Sequence, residues 1–181
     1  MLLALDPGRV HTGWAIFCEG DIHACGVLKN QNSPRKRRRA YRTNRLKSEV
    51  DSFIAAYFDQ ITCAVVEVQG SSWDRPRPLD FAVRSRELGM WYPASTLVRE
   101  LVSRRVPTYG VDARAVYRFF REQNSYPREQ LARTVKEDLE LEYAQPAGKQ
   151  RSTDYVSAIA LGMYFLANIP VLTKSVESVP V

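Results

Sequence analysis

Short apolar runs separated by turn residues recur along the chain, a pattern that predicts strands. Five such runs predict strands over residues 2–6, 12–18, 22–28, 61–68 and 106–111. The first run is apolar apart from Asp6 and the fourth is apolar until Glu67, as in central strands that are covered on both faces. The second and third runs meet near Glu19–Gly20–Asp21, which predicts a hairpin turn.

Helical spacing of apolar residues fills much of the remaining chain. It predicts helices over residues 40–58, 113–123, 128–142 and 152–168, and one helix over 79–92 and 95–105 that is kinked or broken at Pro93. The last of these is apolar nearly all round, so we expect it to be buried. Residues 71–78 predict an exposed loop.

The order of these elements, β-β-β-α-β-α-β-α-α-α, predicts an α/β domain. Its mixed five-stranded sheet would have an antiparallel hairpin at one edge and parallel strands connected through helices, with helices on both faces. A chain of 181 residues, 45% of them hydrophobic, is most simply one domain. We expect that domain to cover residues 1–169, with residues 170–181 as a peripheral C-terminal tail.

The formal net charge of +6 favours a polyanionic partner, and its distribution is more informative than its sum. Residues 35–47 contain no acid, so the charges in this basic run are not neutralised locally. A solvated charged surface is one interpretation, and contact with nucleic-acid phosphates is the one we favour. The basic residues are Arg35, Lys36, Arg37, Arg38, Arg39, Arg42, Arg45 and Lys47.

Cysteine usage and hydropathy predict an intracellular protein. Cys18, Cys25 and Cys63 form no C-x-x-C pair, so a disulfide framework or a zinc site is not expected, and we interpret all three as buried structural thiols. No apolar run approaches the ~20 residues that span a bilayer, and no secretory signal is visible. We therefore expect a cytoplasmic protein without membrane association.

Three acids lie at the margins of apolar elements, where an unpaired charge is costly. Asp6 ends the first strand, Glu67 lies near the end of the fourth, and Asp154 opens the last helix. If the first and fourth strands are parallel neighbours, their carboxyl ends share one edge of the sheet, where α/β folds place their sites. Mg²⁺ prefers oxygen ligands and shares its shell with phosphate, so the pattern indicates metal-assisted phosphodiester hydrolysis. His11 is expected beside this site or on the surface rather than in the metal shell.

Four segments, in order, resemble the motifs of the RuvC-type Holliday-junction resolvases of the RNase H-like superfamily. They are "LALDPGRVHTGWAIF", "CAVVEVQG", "REQLARTVKEDLEL" and "STDYVSAIALG", and the resemblance spans about residues 2–166. It implies an RNase H-like fold with Asp6, Glu67 and Asp154 as Mg²⁺ ligands, where Mn²⁺ would substitute. It also implies that Arg128 lies near the cleaved phosphate. The resemblance also implies a homodimer that nicks symmetric strands of a four-way DNA junction. It implies no small-molecule cofactor.

The chain departs from the family pattern at two places. Arg151 stands where the family has a second acid or a histidine, three residues before the last Asp; either three carboxylates suffice or another acid such as Glu142 takes part. Arg151 and Lys149 are instead candidates for phosphate contact. In the loop after the fourth strand, Trp73 is a candidate for the family's aromatic wedge, since an indole stacks on any base; an exposed loop tryptophan with no role is the alternative.

Other functions remain open at this point. A less specific branched-DNA or flap nickase would use the same fold and the same carboxylates. A non-catalytic nucleic-acid-binding domain would explain Arg151 as the mark of a dismantled site. Sugar-kinase and actin-like ATPases also open with an Asp-x-Gly loop, but they need a second such loop and a longer chain.

Overall fold

The computed structural model describes residues 1–8, 11–29, 49–68, 75–79, 94–122 and 154–176, with the backbone alone for 121–122, 154 and 169–176. Its strands are β1 (Leu2–Pro7), β2 (His11–Cys18), β3 (Asp21–Lys29), β4 (Cys63–Val68), β5 (Arg77–Pro78) and β6 (Thr108–Asp112). Its helices are α1 (residues 49–57), α2 (Ala94–Ser103), α3 (Ala113–Glu122) and α4 (Asp154–Val176), and a 3₁₀ turn, Phe58–Gln60, follows α1.

The strands form one mixed sheet in the order β3-β2-β1-β4-β6-β5. Strand β2 lies between β1 and β3 and runs antiparallel to both, whereas β1, β4 and β6 run parallel to one another. The predicted α/β class, the edge hairpin and the parallel pairing of the first and fourth runs are therefore confirmed. Helices cover both faces, as expected.

The sheet has six strands and not the five predicted, because the two residues Arg77–Pro78 pair with β6. This strand lies within the segment predicted as a loop. An arginine followed by a proline has no apolar alternation, so the sequence pattern contains no signal for it. A hydrogen bond of 2.7 Å from the Leu79 amide to the Thr108 carbonyl continues the pairing.

A two-residue turn closes the β2–β3 hairpin at the predicted position. Cys18 pairs with Asp21, which leaves Glu19 and Gly20 between the strands. Both have positive φ, 54° at Glu19 and 99° at Gly20. Two left-handed residues in a two-residue loop form the turn whose twist matches that of the flanking strands.

Two apolar clusters lie on opposite faces of the sheet because side chains alternate along each strand. On one face, Leu3, Leu5 and Val66 pack with residues of α1 and α2. On the other, Ala4 and Val65 pack with residues of α3 and α4. The strands therefore divide the core into an α1/α2 face and an α3/α4 face.

Helix α4 is the longest element and is buried over most of its described side chains, as its composition predicts. Val156, Ile159 and Leu161 are fully buried, while Met163 is 43% exposed. The helix continues through Pro170 to Val176, past the expected end of the domain at residue 169. The division into a domain and a tail stays a prediction. Among the described residues, no helix is long and apolar enough to cross a membrane.

Several predicted elements lie outside the described residues. They are the start of the first helix (residues 40–48), the helices over 79–92 and 128–142, and most of the loop over 71–78.

Candidate active site

Asp6 and Glu67 lie at the carboxyl edge of the sheet, at which β1, β4 and β6 end. They directly follow the last paired positions of the neighbouring parallel strands β1 and β4. Each comes two residues after a member of the α3/α4 cluster, Ala4 and Val65 respectively, so alternation puts both carboxylates on the α3/α4 face. Asp6 is 9% exposed and Glu67 is half-buried. The fold thus brings together two of the three acids singled out in the sequence.

A tight turn around Pro7, the last residue of β1, follows Asp6. The Gly8 amide donates a hydrogen bond of 3.0 Å to the Asp6 carbonyl, which closes a three-residue turn around Pro7. A glycine in a tight turn often has a positive φ, but among the described glycines only Gly20 has one. Glycine is needed at position 8 for space instead, because a Cβ there would lie 2.6 Å from the His11 carbonyl oxygen.

His11 begins β2 at this same edge of the sheet. Asp6 pairs with Gly13, two residues further along β2, so His11 shares a face with both. The imidazole is half-buried. Its expected position beside the carboxylates agrees with this register.

Helix α4 begins at Asp154 and lies across the α3/α4 face. A side chain at Gly162 would overlap the ring of Phe17, which lies near the opposite edge of the sheet. Burial and the nearby Cys25 thiol raise the pKa of Tyr155, seven residues earlier, and Cys25 lies nearer the carboxyl edge than Phe17 does. The first turn of α4 is therefore directed towards the carboxyl edge. The side chain of Asp154 lies outside the described part, so its role as a ligand stays a prediction.

The remaining residues predicted for the site also lie outside the described residues, and their roles stay predictions. They are Arg128, Trp73, Lys149, Arg151 and the basic run Arg35, Lys36, Arg37, Arg38, Arg39, Arg42, Arg45 and Lys47.

The sequence analysis missed one buried acid at this edge, Asp112, which is 4% exposed at the end of β6. Its Oδ1 accepts the backbone N–H of Arg114 at 2.8 Å, so it caps the first turn of α3. The Arg114 guanidinium also donates to this carboxylate, from Nε to Oδ1 and from Nη2 to Oδ2, each at 3.0 Å. An Asp between a strand pattern and a helix pattern is an N-cap signal that could have found it.

The carboxylates at this edge offer oxygen ligands to a hard cation. Asp6 and Glu67 come from adjacent strands and share a face, and two neighbouring carboxylates repel each other when both are charged. Among the side chains that the structure describes, no three His, Cys, Asp or Glu residues lie close enough together to hold a metal ion. The donor set fits Mg²⁺ in chemistry, and Asp154 is the residue that would complete it.

The three cysteines are free thiols and are half-buried, not fully buried as expected. Cys25 and Cys63 point to the α3/α4 face, where they border the apolar cluster. Burial raises the pKa of Cys25 to about 11 and also raises the pKa of Cys63. A thiol with a raised pKa is a poor nucleophile at neutral pH, so these residues contribute packing.

By sequence, the chain matches no protein-family profile and no curated protein. By structure, it is similar to the RuvC of Thermus thermophilus in complex with a Holliday junction substrate, with a TM-score of 0.55 and 19% identity. A second Thermus thermophilus RuvC structure gives a TM-score of 0.54 and 18% identity. Both alignments cover 93% of this chain and 95% of the RuvC chain. The resemblance seen in the motifs is thus confirmed at the level of the fold: this chain has the RNase H-like fold of RuvC.

Proposed function

We propose that this protein is a Mg²⁺-dependent, structure-selective DNA endonuclease that resolves four-way junctions by symmetric nicking. The observation that supports this most is the position of Asp6 and Glu67, on neighbouring parallel strands, at one edge and on one face of the sheet. Asp6 is also among the few buried charged residues of the described chain. Two acids in such a position repel each other unless a cation lies between them.

In this proposal Asp6, Glu67 and Asp154 hold the metal. A divalent ion bound by carboxylates lowers the pKa of a bound water and neutralises charge on a phosphodiester. The protein's own part is to fix the ligands. The sheet register holds Asp6 beside Glu67, and the hydrogen bond from the Gly8 amide to the Asp6 carbonyl fixes the backbone at Asp6. Rigid placement of this kind avoids reorganisation during the reaction.

Basic residues supply the remaining contacts of the proposed site. Arg128, Lys149 and Arg151 would stabilise charge on the cleaved phosphate. The basic run over residues 35–47 would grip the DNA backbone, which fixes position without reading sequence. Trp73 would stack on an unpaired base.

The proposed substrate rests on the structural likeness. The Thermus thermophilus RuvC structure holds a Holliday junction substrate, and its alignment covers 93% of this chain. A four-way junction has two equivalent strands to cut, so a homodimer with two-fold symmetry would present one site to each.

The decisive experiment measures cleavage of a synthetic four-way DNA junction, beside linear duplex and flap substrates, in Mg²⁺ and in EDTA. We expect paired, symmetric nicks that require Mg²⁺. Asp6→Asn and Glu67→Gln each remove one carboxylate charge with little change of shape, so we expect each to abolish nicking while junction binding in EDTA is retained.

Asp21→Asn is the matched control, because Asp21 is an exposed carboxylate at the hairpin turn, on the opposite edge of the sheet. It should cleave at the wild-type rate. If the protein cleaves flaps and linear duplex as fast as four-way junctions, it is a nuclease without junction selectivity. Tight junction binding without cleavage in either Mg²⁺ or Mn²⁺ would contradict the proposed activity and favour a binding domain.

A further inference from the structure

Helix α3 presents an exposed stripe of basic and aromatic residues, Arg114, Tyr117 and Arg118, which we call the α3 stripe. The spacing i, i+3, i+4 puts the three on one side of the helix. The Arg114 side chain is 69% exposed and Tyr117 is 57% exposed, and Arg118 is exposed as well. An exposed tyrosine between two arginines is a combination that suits a nucleic acid, with phosphates for the guanidinium groups and a base or sugar for the ring.

The opposite side of α3 explains why these residues point outward. Ala115 and Val116 are buried in the α3/α4 cluster, and the Phe119 ring lies 5.3 Å from that of Tyr164 on α4. The helix is therefore fixed on the same face of the sheet as Asp6 and Glu67. Because it starts directly after β6, its first turn lies at the carboxyl edge.

Asp112 holds Arg114 in one orientation. The carboxylate is 4% exposed, it accepts from both Nε and Nη2 of the guanidinium, and it is itself fixed by capping the helix. A guanidinium has five N–H groups in a rigid fork, and the two donations to Asp112 come from Nε and Nη2 of that fork. The Asp112–Arg114 pair adds no net charge to the surface. Its effect is to restrict the rotamers of Arg114, so less side-chain entropy is lost when Arg114 contacts a phosphate.

We propose that the α3 stripe is a DNA-binding surface, in which Asp112 is a positioning residue that orients Arg114 towards a backbone phosphate beside the carboxylate site. Tyr117 contacts the adjacent sugar or base, and Arg118 contacts a second phosphate. The α3 stripe and the basic run over residues 35–47 belong to different segments of the sequence. The inference rests on the proposed function only for the identity of the nucleic acid as branched DNA.

The test is binding of a fluorescent four-way junction in EDTA, measured by anisotropy over a series of salt concentrations. Arg114→Gln removes one charged phosphate contact, so we expect about tenfold weaker binding at low salt. The slope of log K against log salt should become shallower by about 0.9. Tyr117→Ala should also weaken binding about tenfold, but with an unchanged salt slope, because stacking releases no counterions.

Arg99→Gln is the matched control. Arg99 is an exposed arginine on α2, a helix that packs on the other face of the sheet. It should bind within about twofold of wild type and keep most of its salt slope. If Arg114→Gln and Arg99→Gln weaken binding equally, the stripe is only part of a general positive charge and the proposal is wrong.

Asp112→Asn separates positioning from simple charge. Asparagine also caps helices, so the fold should be retained, and a thermal unfolding curve checks this. Removal of an acid next to the stripe would tighten DNA binding if charge alone mattered. We expect weaker binding instead, because Arg114 loses its orientation, and tighter binding would overturn the role of Asp112.

These measurements need no cleavage, so their outcome is independent of the nuclease activity. A wild-type protein that cuts junctions, with Arg114→Gln binding like wild type, would contradict the α3 stripe alone. A protein that binds through the stripe but never cuts would contradict the proposed activity alone.

Discussion

At the scale of single residues, the contact between α4 and the sheet depends on the size of one side chain. Gly162 lies against the Phe17 ring, and a Cβ at this position would overlap that ring. Alanine in place of glycine usually stabilises a helix by about 1 kcal/mol. Here we expect the opposite sign: Gly162→Ala should lower the free energy of unfolding by about 1–3 kcal/mol, since the core is overpacked.

Urea unfolding of Gly162→Ala, Phe17→Leu and the double variant checks this sign. The smaller leucine makes room for the added methyl group, so the alanine should be less destabilising in the Phe17→Leu background. A more stable Gly162→Ala protein would show that α4 is free to shift away from β2.

A second prediction at this scale concerns the Cys25 thiol and high pH. Its ordinary pKa is 9.0, and burial raises the pKa to about 11 in the folded chain. Between about pH 9 and pH 11 the unfolded thiol has lost a proton that the folded thiol keeps, so folding becomes less favourable as pH rises. Melting temperatures should fall across this window, and Cys25→Ala should reduce the fall.

The reduction should be partial, because burial raises the pKa values of Cys63 and Tyr155 in the same direction. Asp21→Asn, which changes an exposed residue at the hairpin turn, should leave the fall unchanged. An identical pH dependence in wild type and Cys25→Ala would exclude Cys25 as a contributor.

Sequence patterns predicted the site residues whose charge interrupts an apolar run. They did not predict residues whose role depends on the shape of the folded chain. Asp6 and Glu67 stand out because each is an acid at the end of a buried strand. The need for glycine at position 8 is a matter of the His11 carbonyl approaching it, which only the folded turn reveals. Asp112 does not interrupt a long apolar run, because the strand before it is short. Its pairing with Arg114 forms only where the chain turns into α3.

At the scale of elements, strands and helices with a strong apolar period were predicted closely, whereas helix ends depend on local backbone geometry. Helix α2 ends in a left-handed residue, Arg105, with φ 58°. The Arg105 amide donates to the Val102 carbonyl at 3.0 Å, and the Val106 amide donates to the Leu101 carbonyl at 2.9 Å. This pair of hydrogen bonds is the Schellman motif, in which glycine is the preferred left-handed residue.

Arg105→Gly should therefore stabilise the protein, by about 0.5–1 kcal/mol, because it removes the steric cost of a left-handed arginine. Chemical unfolding measures the difference. Arg104→Gly is the control one position earlier: Arg104 forms hydrogen-bonded ion pairs with Glu100 at 2.8 Å and Asp59 at 2.6 Å, and its φ is not positive. That variant should be destabilised, and stabilisation of both would assign the effect to something other than the turn.

At the scale of the whole molecule, the α/β class and the mixed sheet followed from the order of elements. The strand order could not be read from periodicity, because it depends on long-range pairing such as that of β1 with β4. That pairing is also what brings Asp6 beside Glu67, so the candidate site was conditional on it. The edge strand β5 had no apolar signal, and its pairing with β6 comes from tertiary contact alone.

The last prediction follows from the proposed homodimer. It concerns the coupling between the cuts in the two strands of one junction. If each protomer holds one site and cuts one strand, an equal mixture of wild type and Asp6→Asn gives roughly half mixed dimers after subunit exchange. Mixed dimers should nick one strand only. On a supercoiled plasmid with an extruded cruciform, wild type should give linear product by paired cuts, and the mixture should accumulate nicked circles.

Asp21→Asn in place of Asp6→Asn provides the control mixture, since both protomers then retain the carboxylates of the site. Its ratio of linear to nicked product should match that of wild type. If the Asp6→Asn mixture only lowers the overall rate, with the same product ratio, then the two cuts come from active units that do not share a dimer. The activity of Asp6 within each site and the pairing of sites are thus tested by one measurement, because the first changes the rate and the second changes the product.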